Sequence, residues 1–277
     1  MTVLDDIIKG VREDLEERKT LTSLANIIDQ SRAVTTGGAI DVMNHFKKGE
    51  FGVIAEIKRS SPSKGVLAEI ASPAELAKSY QAGGACAISV LTEARRFNGS
   101  LADLAAVRSA VTIPILRKEF IVDSYQIYEA RAFGADIILL IVAALSDEEI
   151  LEFSTLTHEL GMRTLIEVHD GEEIGRVLNL SKQGALDIDL LGINARNLKT
   201  LEINPESFAA LAPLVPATIP LIAESGISNS AEVGALSARG ASGILVGEAL
   251  VKDGNPAATI QEFLNRAEQE RVRRLRP

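Results

Sequence analysis

Glu56 and Lys58 close a short apolar run and lie two residues apart. A strand alternates its side chains, so a carboxylate and an ammonium at this spacing leave the chain on one face with Ile54, while Val53, Ala55 and Ile57 take the other. The pattern recurs downstream. Lys118 follows an apolar run and shares its parity with Leu116 and Phe120; Glu167 shares that of Leu165; Asn194 and Arg196 point the same way at the end of another run. Glu224 and Ser225 end the next. Lysines and carboxylates brought together at strand ends can exchange protons with a substrate and neutralise developing charge. A salt bridge that merely closes a sheet would also explain Glu56 and Lys58, and a solvated turn would explain residues 117–119. Gly226 and Gly247 follow the last two runs, and the stretch after Gly247 reads as a short helix that opens on the N–H of Glu248. Free backbone N–H groups at this point form a phosphate site.

The elements that must position these residues alternate regularly. Apolar, β-branched runs occupy residues 53–57, 86–91, 113–116, 137–141, 164–168, 190–193, 221–223 and 243–246. Amphipathic stretches lie between them, for example at residues 73–82, 147–160, 172–180 and 231–238, and a last helix is predicted over 256–271. Strands alternating with helices imply a parallel sheet, and eight such units favour a closed (β/α)8 TIM barrel of the α/β class. Active sites of such barrels gather at the C-terminal ends of the strands, where the polar residues above fall. Before the first run, apolar residues at helical spacing (Leu4, Ile7, Ile8, Val11, Leu15) predict a helix over residues 3–19, and a second is predicted over 38–48. Residues 1–277 are thus expected to form one barrel domain, with residues 1–50 as a helical N-terminal extension.

Composition agrees. Of 277 residues, 46% are hydrophobic but only 4% aromatic, with no Trp, so the core must be aliphatic, as strands buried on both faces require. A net charge of −9 disfavours nucleic acid as a partner, while leaving local cationic sites for an anionic substrate. The single Cys86 lies in an apolar run and reads as a core residue in a reducing compartment. The charged N-terminus lacks a secretory core, and the longest apolar run, residues 137–145, is too short to span a membrane. A cytoplasmic protein without membrane association is expected. His45 and His158 fall on predicted helices, whereas His169 is close enough to Glu167 to touch the site. Scattered His and a single Cys show no metal-ligand spacing, and no phosphate-loop or dinucleotide glycine pattern appears, so neither a metal nor a cofactor is expected. Ser225 has no evident base.

The strand-end segments resemble those of the indole-3-glycerol-phosphate synthase family: residues 54–65 (IAEIKRSSPSKG), 89–93 (SVLTE) with 97–100 (FNGS), 115–123 (ILRKEFIVD), 165–169 (LIEVH), 192–200 (GINARNLKT), 223–228 (AESGIS) and 245–250 (LVGEAL). The resemblance extends over nearly the whole chain, including the segment before the first strand, which it implies caps the active-site end. It implies conversion of 1-(2-carboxyphenylamino)-1-deoxyribulose 5-phosphate into indole-3-glycerol phosphate, CO₂ and water without a cofactor. It further implies Lys118 as general acid for ring closure or as holder of the substrate carboxylate. Glu167 becomes base or stabiliser of a cationic intermediate, Lys58 a second acid for dehydration, and Glu56 its partner. Asn194 and Ser225 would hydrogen-bond the substrate, with Glu224 and Arg196 in support. Ser61, Gly226, Gly247 and Glu248 would cradle the phosphate, and Phe97, Phe120 and Leu140 would wall the aromatic ring. Ala195 stands where this family usually has Asn; its outward parity points to a loop contact rather than chemistry. A sugar-phosphate isomerase would share the phosphate site but has no need of a Glu-Lys pair facing a second Lys, and a non-catalytic barrel would have lost those polar residues. The expected partner is a small phosphorylated substrate, and the expected state a monomer or weak homodimer.

Overall fold

A computed structural model describes residues 2–34, 38–61, 65–66, 70–198, 200–252 and 254–275; the side chains of Ser61, Val66, Arg274 and Leu275 lie outside that description. Eight parallel strands close into a barrel: β1 (Gly52–Ile57), β2 (Ala87–Leu91), β3 (Ile115–Lys118), β4 (Ile137–Ile141), β5 (Arg163–Val168), β6 (Leu190–Asn194), β7 (Leu221–Glu224) and β8 (Gly243–Val246). Each pairs with the next, and β1 pairs with β8, Gly52 opposite Gly243, to complete the ring. The third run is displaced from its expected position. Its strand begins after Pro114, whose carbonyl accepts from Ile88 N, and it extends to Lys118, so the lysine is part of the sheet rather than of the turn beyond it.

Alternation decides which side chains meet. Ile54, Leu116, Leu139, Leu165, Leu190, Ile222 and Leu245 pack together inside the barrel, while Val53, Ala55, Ile88, Ile138, Ile166 and Ile193 pack outward against the helices. Those helices are α4 (Pro73–Ala82), α5 (Leu101–Ala110), α6 (Ser124–Ala132), α7 (Asp147–Glu159), α8 (Gly171–Lys182), α9 (Ser207–Leu211), α10 (Ser230–Ala238), α11 (Glu248–Val251) and α12 (Pro256–Leu275). Six of them begin where a short polar side chain satisfies a free N–H: Ser72, Ser100, Asp123, Ser146, Asp170 and Asn229 each accept from the first turn of the helix that follows.

The N-terminal segment serves both ends of the barrel. Helix α1 (Val3–Leu21) opens on a capping box between Thr2 and Asp5 and buries Leu4, Ile7 and Val11 in the cluster that contains Phe120 and Val122, beyond the C-terminal end of β3. Arg95, after β2, reaches Glu13 and Asp14, and Arg96 reaches Asp6. Helix α2 (Leu24–Val34) was not anticipated from sequence; its Ile27 packs with Leu15 and Tyr125 of α6. The segment then crosses to the opposite end. Only one helical turn forms within residues 38–48, α3 (Met43–Phe46), because Asp41 is pinned by Arg163 at 3.1 Å and Ile40 N donates to Asp136 at 2.8 Å. Val42 and Phe46 thereby plug the N-terminal ends of the strands, and a side chain at Gly52 would strike the Phe46 ring. Among the described residues no helix is long and apolar enough to cross a membrane.

Candidate active site

A cavity of about 480 Å³ opens at the C-terminal ends of the strands. Glu56, Lys58, Lys118, Glu167, Asn194, Arg196, Glu224, Ser225, Gly226, Gly247 and Glu248 all line it, together with Phe97 and Phe120. Its centre is Lys118. The last residue of β3 reaches across the barrel, and its Nζ stands 2.5 Å from Glu167 Oε2 on β5 and 2.9 Å from Glu224 Oε2 on β7. Asn194 of β6 lies between those two strands and donates to the other oxygen of Glu167 at 3.1 Å. Lys58 stands beside this group, 2.5 Å from Glu56 Oε1.

Lys118 and the two carboxyls it bridges settle into distinct protonation states. Burial alone would strip the lysine of its proton, but Glu167, Glu224 and Glu56 outweigh it and raise its pKa above the ordinary value. Burial likewise opposes charge on Glu167, yet Lys118 and His169 hold that carboxyl well below its usual range. Glu224 goes the other way: burial pushes it up to about 8 despite Lys118, and the negative Glu167 adds to the rise. One ammonium between one carboxylate and one largely protonated carboxyl is the outcome expected of two buried acids sharing a single cation.

Glycine places Glu224. A Cβ at Gly192 of β6 would lie 2.1 Å from Glu224 Oε1, so only the bare backbone there lets the carboxyl sit inside the barrel. Gly247 is constrained in the same way by β1, since its Cβ would come within 2.9 Å of the Glu56 carbonyl. The expected reason for this glycine, close approach to a ligand, is thus joined by close approach to a strand. Ser225 precedes Gly226 in a turn where both have positive φ, 66° and 76°. For a serine this is a sparsely populated conformation, of the kind concentrated at functional sites.

The walls are apolar. Phe97 and Phe120 face one another at 6.2 Å between ring centroids, inclined by 40°. Phe97 is held by Glu93, a buried carboxylate that accepts the backbone N–H groups of Arg95, Arg96 and Phe97. Leu140 is not part of this wall. It packs outward against the helices, and its neighbours Leu139 and Ile141 line the cavity instead. Strand β4 reads IILLI, apolar on both faces, so nothing in its sequence sets the phase of the alternation. Ser61 lies in a two-residue strand paired with Gly65–Val66, and its side chain is outside the described residues. Ala195 is half-buried and does not line the cavity; its backbone N–H donates to Glu224 O and its carbonyl accepts from Asn204 N. Arg196 donates to Leu201 O at 3.1 Å, tying down the loop after β6.

Several contributors escaped the reading of strand ends. Ile203, Leu198 and Lys252 reach the cavity from loops and from the end of α11, where no periodicity marks them. Behind the site, Arg117 points outward from β3 yet is almost wholly buried, donating to Thr92, to Gln126 O and to Glu129, which also binds Arg18 of α1. Its only sign in the sequence is a charge at an outward position of a core strand.

Solved structures with the same architecture include a 3-hexulose-6-phosphate synthase from Salmonella typhimurium, with a TM-score of 0.62 over 79% of this chain and 100% of that one at 15% identity. A thiamine phosphate pyrophosphorylase from Pyrococcus furiosus matches with a TM-score of 0.56 at 18% identity, over 81% of this chain and 98% of that one. At these identities the likeness is one of fold. Sequence relatives say more. An indole-3-glycerol phosphate synthase of a Nocardioides species is 54% identical over 263 residues, covering 95% of this chain and 98% of the relative. One from Kineococcus radiotolerans is 49% identical over 280 residues and spans both chains in full. The profile of the same family, indole-3-glycerol phosphate synthase, matches residues 4–263. A closed barrel, a lysine between carboxylates at its mouth and end-to-end similarity at this level agree: the chain belongs to the indole-3-glycerol phosphate synthase family, carboxy-lyases of tryptophan biosynthesis.

Proposed function

We propose that the residues around Lys118 divide the family's reaction among themselves as follows. The substrate, 1-(2-carboxyphenylamino)-1-deoxyribulose 5-phosphate, lies with its aromatic ring against Phe97, Phe120, Leu139 and Ile141. Its phosphate sits at the opposite rim, against the backbone of Gly226, Gly247 and Glu248, with Lys252 as the nearby cation. The ring carbon that bears the carboxylate attacks the ketone carbon, and the ketone oxygen takes a proton from Lys118. Loss of CO₂ from the same ring carbon returns its bonding pair to the ring and restores aromaticity. The new hydroxyl then leaves as water with a proton from Lys58, which Glu56 orients, while Glu167 removes a proton from the methylene carbon next to nitrogen. Asn194, Arg196 and Ser225 hold the ribulose hydroxyls. Each proton is carried by a side chain at the mouth, so the reaction needs no cofactor in this scheme. The proposal extends to a cytoplasmic enzyme, monomeric or weakly dimeric, acting on a free small molecule.

The observation that carries this reading is the lysine itself. An ammonium fixed between Glu167 and Glu224 beside an apolar wall is a proton donor set where an oxyanion would form. The purified chain supplied with the carboxyphenylamino substrate is expected to produce indole fluorescence at a rate proportional to enzyme. Absence of product at micromolar enzyme would defeat the assignment.

The same reading predicts the effect of filling the space at Gly192. In Gly192→Ala the new methyl and the Glu224 carboxyl cannot coexist, so Glu224 must swing away from Lys118 or the strands must part. A cost of about 1–3 kcal/mol is expected from overpacking, together with a fall in kcat of roughly tenfold or more as the lysine loses one of its two acids. Urea denaturation and the fluorescence assay measure the two effects, and wild-type kcat in this variant would show that Glu224 is dispensable.

A further inference from the structure

His169 lies two residues beyond Glu167, past the end of β5, where the chain turns into α8. Its ring stands between two carboxylates. Nε2 is 3.3 Å from Glu167 Oε1, and Nδ1 is 3.1 Å from Glu173 Oε2, an oxygen that also accepts the His169 backbone N–H at 2.7 Å. Glu173 is held in turn: it lies in the first turn of α8, and its own N–H donates to the capping Asp170 at 2.9 Å. The imidazole is thus clamped from outside, with its inner edge presented to Glu167. A neutral imidazole would set a lone pair against one of the two carboxylates, whereas the doubly protonated ring satisfies both. Nε2 meets Glu167 away from the line of a directed hydrogen bond, so this contact is one of charge and position.

We propose that His169 is a positioning residue for the ring-closing reaction: as an imidazolium clamped by Glu173, it fixes the Glu167 carboxylate against Lys118 and makes Glu167, rather than Glu224, the acid that keeps its charge. The surrounding groups fit. Glu167 faces two cations, Lys118 from β3 and His169, and a donor, Asn194 from β6. Among the described residues Glu224, from β7, is paired with the same lysine and with no second cation. Glu56, from β1, adds to the negative field at Lys118. The ring itself sees Glu167 and Glu173; burial works to lower its pKa, but these two carboxylates outweigh it and raise it to about 10. The charge is therefore in place throughout the neutral range and is lost only as pH rises through that value.

The inference rests on the reading of Glu167 as the base. Its test is the pH dependence of kcat and kcat/KM in His169→Asn, which keeps a polar group but no charge, and in Glu173→Gln, which removes the outer carboxylate. Glu167 has a depressed pKa, so loss of its cationic neighbour must move the acid limb upward. A shift of about one pH unit is expected in His169→Asn, with kcat on the acid limb reduced up to about tenfold, KM changed less than about twofold, and kcat recovering to the wild-type value by about neutral pH. Glu173→Gln is expected to move the limb in the same direction by less, and it remains decisive should His169→Asn fail to fold. An acid limb that coincides with the wild type in the folded variants, or a loss of kcat equal at every pH, overturns the proposal. Glu167→Gln separates the two levels: if it is inactive while the limb stays put, only the role of His169 falls, and if it is active the base assignment falls with it.

Discussion

Replacing Lys118 by Met is expected to lower kcat by roughly a thousandfold or more while KM changes only severalfold. In the proposed scheme Lys118 gives the proton to the ketone oxygen as the ring closes, and a water in its place would be neither oriented nor acidic enough. In that scheme the phosphate is held by the backbone after β7 and β8 and the ring by Phe97, Phe120, Leu139 and Ile141, none of which depends on the Lys118 side chain, so binding should survive. The fold should survive as well. Glu224 already carries a proton over much of the neutral range, and Glu167 keeps Asn194 and His169, so removal of the ammonium does not leave two bare charges in the barrel. Single-turnover fluorescence with excess enzyme, beside a thermal melt followed by circular dichroism, checks both halves. More than about a tenth of wild-type kcat would remove Lys118 from the role of principal acid.

The second large effect is on stability, one residue earlier in the chain. Arg117→Met is expected to destabilise the protein by about 3–5 kcal/mol, because it leaves Glu129 and Glu119 in the interior without their shared cation. Burial already raises the Glu119 carboxyl, with Arg117 and Thr92 opposing it, so loss of the guanidinium drives that group further toward its neutral form. The melting temperature should fall by roughly 10 °C. Arg117→Lys is expected to recover little, since the fork that reaches Thr92, Gln126 O and Glu129 at once has no ammonium equivalent. A wild-type melt in Arg117→Met would show that the two acids find other partners. The effect also bears on the site, because Arg117 and Lys118 are consecutive on β3 and face opposite sides. The same four-residue strand carries Lys118 inward and its structural anchor outward, toward the Glu129 that Arg18 of α1 also holds.

Much of this could be read from the sequence because strands have a period of two. Once Glu56 and Lys58 are placed on the parity of Ile54, or Lys118 on that of Leu116, their meeting at the mouth follows from closure of the sheet. The eight runs, their order and the polar groups at their ends needed no coordinates. The reading failed where that period was uninformative. In β4 both faces are apolar, so parity cannot choose between Leu140 and its neighbours, and it is Leu139 and Ile141 that face inward. Residues 38–48 have the apolar spacing of a helix but form a single turn, because Asp41 is claimed by Arg163 from β5. Loop residues such as Ile203 carry no periodic signal at all.

By itself the sequence determined the alternation of elements, the direction in which each strand points its polar end, and the family. Tertiary structure alone decided how those ends share charge. Lys118, Glu167 and Glu224 are 49 and 106 residues apart, and which carboxyl keeps its proton depends on distances of a few ångströms, on burial, and on the bare backbone at Gly192 that admits Glu224. Local pattern fixes a side chain's face, whereas its charge is set by every strand that meets it.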